Sequence, residues 1–189
     1  MRSSILIIDC GSSKVIDIEN QLEAINITFK TEKWNNLTIG ELNNFGGIII
    51  SGAPILLTET DPKPYIKALA FLKVYKKPVL GICFGHQLLG ILHGAQVYLC
   101  KEDRNWQEII IIEQSSTLFN YIRKPYKMME DHTEEINLPS GFKLLATSKI
   151  CKNEAMQHKI KPLFGVQFHP EASERGGLQL LKNFCKTCF

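Results

Sequence analysis

The chain has 189 residues, of which 44% are hydrophobic and 22% charged, with a formal net charge of +3. That length fits one domain over 1–189 with a sizeable core, and the scatter of both signs of charge argues against a disordered tract. With no run of five Lys or Arg, and no apolar run approaching the roughly 20 residues that cross a bilayer, neither a nucleic-acid stripe nor a membrane helix is expected.

Met1-Arg2 leads into no signal-like apolar region, so a cytoplasmic location is expected. Six cysteines (Cys10, Cys83, Cys100, Cys151, Cys185, Cys188) in such a chain are read as free thiols. Cys185 and Cys188 form a C-x-x-C pair with no second Cys/His pair to complete a zinc site; a frayed helix end is the plain reading, metal or redox use the alternative.

In chain order, Ser4 to Asp9 is a β-branched strand, followed by Gly11-Ser12-Ser13 and a helix with Val15, Ile18, Leu22 and Ile25 on one face. Ile27 to Lys30 suits a second strand, and Thr38 with Glu41 has capping-box spacing for a short helix. Gly47 to Ile50 is a buried strand ending in the turn Ser51-Gly52-Ala53-Pro54. Tyr65 to Tyr75 has helical periodicity, Pro78 to Ile82 is a fourth strand, and Gly85 to His93 another helix. Strands alternating with helices imply an α/β fold with a central, mostly parallel sheet covered on both faces. Past Gln107 the stretches Ile109–Ile112, Lys127–Glu130, Lys143–Thr147 and Leu163–Phe168 add mixed or antiparallel strands before a closing helix over Leu178–Cys185.

The most informative segment is Pro78-Val79-Leu80-Gly81-Ile82-Cys83-Phe84-Gly85-His86-Gln87. A strand turning abruptly into a helix, with Gly two positions either side of a nucleophile, is the elbow of G-x-S-x-G enzymes with Cys in the Ser place. The glycines let strand and helix pack closely beneath a strained residue at the carboxyl edge of the sheet, where ligands bind. A thiol there sits at the positive end of a helix dipole, which favours thiolate; an ordinary thiol of pKa about 8.5 is only a few per cent ionised at neutral pH. Taken alone, Cys83 reads more readily as a small buried core residue, as most free cysteines are.

A second segment, Gly165-Val166-Gln167-Phe168-His169-Pro170-Glu171, puts a histidine at the end of an apolar strand. Pro170 is expected to keep His169 extended and to prevent a helix from starting there. Glu171 reaches the imidazole if the chain bends. A nucleophile, a base and an acidic orienter are the parts of a catalytic triad, whose order along the chain is free.

Gly81-Ile82-Cys83-Phe84-Gly85-His86-Gln87 and Gln167-Phe168-His169-Pro170-Glu171 resemble the two signature motifs of class I, triad-type, glutamine amidotransferases. Ser51-Gly52-Ala53-Pro54 is similar to that family's oxyanion turn with Ala for its second Gly, and Asp131-His132-Thr133-Glu134-Glu135-Ile136 resembles its S-H-x-D-x-V segment. Ile150 through Glu171, with Leu181-Lys182-Asn183-Phe184-Cys185, is similar to the glutaminase subunit of two-subunit GMP synthetases. Two segments depart: Asp9-Cys10-Gly11-Ser12-Ser13 keeps part of a D-x-G-S-Q opening, and Glu102-Asp103-Arg104-Asn105 stands for an R-E-Y-G-like stretch. These segments are candidates for partner docking or substrate closure.

The resemblance implies a flavodoxin-like fold and a glutaminase in which Cys83 attacks the glutamine amide, His169 moves protons and Glu171 orients the imidazole. It implies an oxyanion hole from the Gly52 and Phe84 N–H groups and a substrate contact from Gln87, which otherwise reads as a structural amide; His132 reads as structural or at an interface. It implies no metal or organic cofactor in this chain. ATP and Mg would belong to a synthetase partner on a second polypeptide, because no G-x-x-x-x-G-K-[ST] loop occurs here. GMP synthesis from XMP is the expected destination of the ammonia. The alternatives are an anthranilate or aminodeoxychorismate synthase, a stand-alone γ-glutamyl hydrolase or peptidase, and a catalytically silent regulatory subunit.

Overall fold

The computed structural model describes residues 4–189; Met1 and Arg2, on which the reading of the N-terminus turned, lie outside the described residues. The strands are β1 (Ser4–Asp9), β2 (Phe29–Lys33), β3 (Phe45–Ile50), β4 (Val79–Ile82), β5 (Val97–Asp103), β6 (Trp106–Glu108), β7 (Ile110–Ile111), β8 (Lys127–Met129), β9 (His132–Ile136), β10 (Phe142–Thr147), β11 (Ala155–His158) and β12 (Leu163–Val166). The helices are α1 (Val15–Ala24), α2 (Lys63–Ala68), α3 (Phe84–Leu92) and α4 (Glu174–Cys188).

Eight strands form the main sheet in the order β2-β1-β3-β4-β12-β11-β10-β7. The first five are parallel, and the last three add antiparallel pairings. β5 with β9 and β6 with β8 make two small ribbons beside it. Alternation in β1 sends Ile5 and Ile7 to one core and Leu6 and Ile8 to the other. Val15, Ile18 and Leu22 of α1 and Leu180, Leu181 and Phe184 of α4 fill the first; Phe84, Leu88, Leu89 and Leu92 of α3 fill the second. Both faces are therefore covered, as expected for parallel strands that carry apolar residues on each side.

Several elements differ from expectation. β2 is shifted to Phe29–Lys33, because Ile27 is drawn into the turn after α1 by its N–H bond to the Leu22 carbonyl. The Thr38 capping box does not form: Thr38 makes no side-chain cap bond to the 3₁₀ turn Ile39–Asn44, and the Glu41 carboxylate instead lies 3.6 Å from Lys30 Nζ. The helix expected over Tyr65–Tyr75 breaks into α2 and a 3₁₀ turn at Ala70–Lys73. Buried Leu69, Leu72 and Tyr75 recur every three residues there, the spacing of a 3₁₀ rather than an α face. β5, β6, β9 and β11 are strands additional to those the sequence pattern predicts.

The C-x-x-C pair is not at a frayed end, since α4 runs through Cys188. Cys185 is in the core, and a Cβ on Gly47 of β3 would collide with the Cys188 sulfur, so the helix end is pressed on the sheet. Burial pushes both thiols up to about 12, away from thiolate chemistry. Among the described residues no helix is long and apolar enough to cross a membrane.

Candidate active site

The geometry begins with three neighbouring parallel strands. β4 pairs with β3 on one side and β12 on the other, in a register that sets Ile82 beside Val166. The chain beyond these strands therefore brings Ser51-Gly52, Cys83 and Gln167-Phe168-His169 to the same carboxyl edge.

Cys83 turns β4 into α3 with φ 51° and ψ −108°, a region that costs a non-glycine residue about 1–3 kcal/mol. Its N–H bonds to the Val166 carbonyl at 2.8 Å, and its carbonyl receives the Gln87 N–H at 3.0 Å, so both neighbours hold the corner. The flanking glycines are required by contact. A Cβ on Gly81 would lie 2.5 Å from the Gly85 carbonyl oxygen, and one on Gly85 would run into the Ile50 carbonyl. A Cβ on Gly165 would lie 2.5 Å from Nδ1 of His86. His86 is fully buried beneath the elbow, and that burial, with the nearby His132, drives its pKa down to about 3, leaving a neutral packing group.

His169 is extended (φ −102°, ψ 92°) and its N–H bonds to the Met129 carbonyl at 2.8 Å. Contrary to expectation, a 3₁₀ turn does begin at Pro170. Proline suits the first position of a helical turn, where the missing N–H has no partner to lose, and the turn supplies the bend that brings Glu171 back. Glu171 Oε1 lies 2.6 Å from His169 Nδ1. Gln21 of α1 donates to the Glu171 carbonyl at 2.6 Å, and Ser173 Oγ donates to the His169 carbonyl at 2.6 Å.

Gly52 lies between sulfur and ring: a Cβ built on it would be 3.2 Å from His169 Cε1 and 3.7 Å from Cys83 Cβ. Cys83 and His169 thus face each other across Gly52 and line the same cavity. Burial alone would push the His169 imidazolium pKa down, but the charge and hydrogen bond of Cys83, followed by those of Glu171, outweigh it and hold it well above its ordinary value. The Gly52 and Phe84 amides make no backbone hydrogen bonds among the described residues, and Phe84 is in the first turn of α3, whose N–H groups have no intrahelical partner.

Gln87 is buried and its amide nitrogen is committed, to the Glu134 carbonyl at 3.0 Å and to Gln167 Oε1 at 3.2 Å. Only its carbonyl oxygen remains for a ligand. Gln167, not singled out from sequence although it opens the Q-F-H-P-E segment, donates to Cys83 Sγ at 3.6 Å. His132 is buried with Nδ1 3.0 Å from the Glu134 carbonyl. A cavity of about 440 Å³ opens over Cys83, Phe84, Gln87 and His169 and is rimmed by Lys14, Arg104 and Asp131, none of which was singled out individually.

A parallel sheet carrying a strained cysteine at a strand-to-helix elbow, faced by a histidine bonded to a glutamate, defines the cysteine-triad class of α/β hydrolytic sites. The family model for glutamine amidotransferase class-I matches residues 6–188, so the chain belongs to the class-I glutamine amidotransferases. It is similar to the glutamine-hydrolyzing GMP synthase subunit of Methanocaldococcus jannaschii, 34% identical over 97% of both chains. The corresponding subunit of Pyrococcus furiosus is 35% identical over 97% of this chain and 98% of its own. A crystal structure from Thermoplasma acidophilum, provisionally assigned to the same GMP synthase subunit, superposes with a TM-score of 0.88 at 25% identity, covering 100% of this chain and 94% of that one.

Proposed function

We propose that this chain hydrolyses the side-chain amide of glutamine to glutamate and ammonia, and that the ammonia passes to a separate synthetase subunit that aminates XMP to GMP. The observation that carries the chemistry is the buried Nδ1–Oε1 contact of 2.6 Å between His169 and Glu171 beside the strained Cys83. The names of relatives alignable over 97% of the chain support the acceptor and the separate partner.

The Cys83 thiolate attacks the amide carbon, forming a C–S bond as the carbonyl π pair moves to oxygen. The resulting oxyanion meets the Gly52 and Phe84 N–H groups, where loss of one donor typically costs about 10² to 10³ in turnover. The His169 imidazolium gives its proton to the departing nitrogen, the C–N bond breaks and ammonia leaves a glutamyl thioester. Neutral His169 then takes a proton from water, hydroxide attacks the thioester carbon, and glutamate departs as the thiolate is restored. Glu171 holds Nδ1–H in place and stabilises the cation at each stage.

Cys83→Ala is expected to abolish ammonia release and thioester formation without unfolding the chain; retained hydrolysis would reassign the nucleophile. Adding the ATP-dependent, XMP-aminating partner is expected to raise glutamine hydrolysis. High activity alone that the partner leaves unmoved would identify a stand-alone hydrolase.

A further inference from the structure

A buried side chain outside the triad reaches the reacting sulfur. Gln167 follows β12 directly, is fully buried, and its Nε2 lies 3.6 Å from Cys83 Sγ. Its backbone is pinned by an N–H bond to the Glu154 carbonyl at 2.8 Å. Gln87 of α3 and the backbone carbonyl of Glu134 in β9 extend the contact into a chain. Gln87 Nε2 is 3.0 Å from that carbonyl and 3.2 Å from Gln167 Oε1.

The direction of each bond in this chain is forced from its backbone end. A peptide carbonyl only accepts, so the group that Gln87 turns to Glu134 is its NH2. The same NH2 faces Gln167, which must meet it with oxygen, and the NH2 of Gln167 is left facing the sulfur. Turning Gln87 over would set its oxygen on the Glu134 carbonyl, and turning Gln167 over would set NH2 on NH2. The donor is therefore preorganised. A thiolate accepts such a bond strongly, whereas a thioester sulfur, with its charge gone, accepts it weakly. The Asp131 carbonyl, 3.9 Å from the same sulfur, can only accept and so favours the thiol.

We propose that Gln167 is a further catalytic residue of this site, donating from Nε2 to the Cys83 thiolate, and that Gln87 is a positioning residue that acts through it by fixing its amide. This rests on the glutaminase reading and deepens it by adding a neutral support for the thiolate beside the His169 imidazolium. The bond works at both ends of the cycle. It raises the fraction of Cys83 that is ionised before attack, and it meets the returning charge when the thioester C–S bond breaks and its electron pair goes back to sulfur.

The test follows the rate of Cys83 alkylation by iodoacetamide against pH in the full chain, read by mass spectrometry of the Cys83 peptide. Gln167→Leu removes the donor at similar volume and leaves the charged and titratable groups that line the cavity, Lys14, Arg104, Asp131, His132, Glu134 and His169, as they are. The alkylation midpoint is expected to rise by about one pH unit, a tenfold loss of thiolate at the low end for hydrogen bonds to a charged group. A thiolate without its donor is also more nucleophilic, by about threefold per unit at a slope of about 0.4–0.5. The variant should therefore react about threefold slower than the wild type on the acid limb and about threefold faster on the alkaline plateau, so the curves cross. A loosened site raises the rate at every pH, and a damaged one lowers it at every pH. Gln87→Leu is expected to move the midpoint the same way by less, and the double variant Gln87→Leu/Gln167→Leu no further than Gln167→Leu alone. The double variant leaves no NH2 buried against leucine, and the Glu134 carbonyl keeps His132 Nδ1 at 3.0 Å, so it carries the test if circular dichroism shows the single variant unfolded. An unmoved midpoint, or curves that do not cross, overturns the donor; additive shifts overturn the action of Gln87 through it. A wild-type chain that forms no thioester with glutamine, with or without its partner, overturns the glutaminase reading instead.

Discussion

Glu130→Gln offers a quantitative test of the polar layer behind the site. Glu130 and Glu154 are both buried, and neither carboxyl has an ordinary hydrogen-bond donor among the described residues. Two carboxylates are both acceptors, so only a shared proton can join them, and His132 Nε2 stands 3.4 Å from Glu130 Oε2. Burial, reinforced by Asp103, pushes Glu130 from the ordinary 4.5 up to about 8; burial and then Glu130 itself push Glu154 well above its ordinary value. The pair titrates as a unit and keeps a proton at neutral pH. Because the folded chain binds that proton more tightly than the unfolded chain, the stability this pair contributes is fully present below the ordinary carboxyl pKa and is lost as pH rises through about 8. Raising a carboxyl from 4.5 to about 8 corresponds to a ceiling of about 5 kcal/mol at about 1.36 kcal/mol per pH unit, comparable to the lower end of a domain's net stability. Urea unfolding midpoints from about pH 5 to about pH 9 should therefore fall in the wild type. In Glu130→Gln, which keeps a donor towards Glu154 without a second charge, the fall should shrink, and the variant should be the more stable protein at the alkaline end. Parallel curves for the two proteins would refute the shared proton.

Other substitutions separate the supports of the site. Gly85→Ala drives a methyl into the Ile50 carbonyl and should destabilise the fold by about 1–3 kcal/mol, the usual cost of overpacking, read as a lower urea midpoint; an unchanged midpoint would show that α3 can lift freely. Glu134→Ala removes the acceptor of the Leu57 N–H at 2.8 Å, the Thr58 N–H at 2.7 Å and the Thr58 hydroxyl at 2.5 Å. At about 1–3 kcal/mol for each buried donor left unpaired, amide exchange at Leu57 and Thr58 should quicken by at least about tenfold, and unchanged protection would mean that the loop is held elsewhere. Glu171→Gln removes part of what holds the His169 imidazolium up, after burial and Cys83 are counted, so its titration followed by NMR should move to lower pH and turnover should drop by about 10² to 10⁴. A titration midpoint that does not move would dissociate Glu171 from the base.

The parallel half of the fold and both reactive segments could be read from the chain because their physics is local. β1, β3 and β4 are short apolar runs, α1 and α4 carry apolar stripes, and the glycines at 81 and 85 mark where strand and helix backbones come into direct contact. The ribbons could not be read in the same way. β9 is His132-Thr133-Glu134-Glu135-Ile136, and its buried glutamates satisfy backbone donors: Glu134 those of Leu57 and Thr58, Glu135 that of Lys152 at 3.1 Å. A strand whose inward side is charged gives no hydrophobic alternation to detect. β5 fails for the opposite reason, since Leu99 is exposed and most of the strand faces outward. The pairing of Lys14 with Asp131 is not legible in the chain because the two are 117 residues apart and meet only in the folded protein.

What fixes the site is the absence of clearance beneath it. Gly81 meets the carbonyl of Gly85, Gly85 meets the carbonyl of Ile50, and Gly165 meets the His86 ring, so β3, β4, β12 and α3 form one stack with no room for a methyl at those positions. The unfavourable backbone of Cys83 is retained because relaxing it would lift α3 and break the Cys83 N–H bond to Val166 on the strand that leads to His169. The same hydrogen bond thus holds the corner under the sulfur and ties it to the segment bearing the imidazole. Their separation is set by strand pairing, with Gly52 filling the gap between them, and a side chain there would press first on His169 Cε1. The chemistry is therefore sensitive to backbone packing two residues from Cys83 and four from His169, which is why the glycines carry as much of the site's definition as the triad side chains.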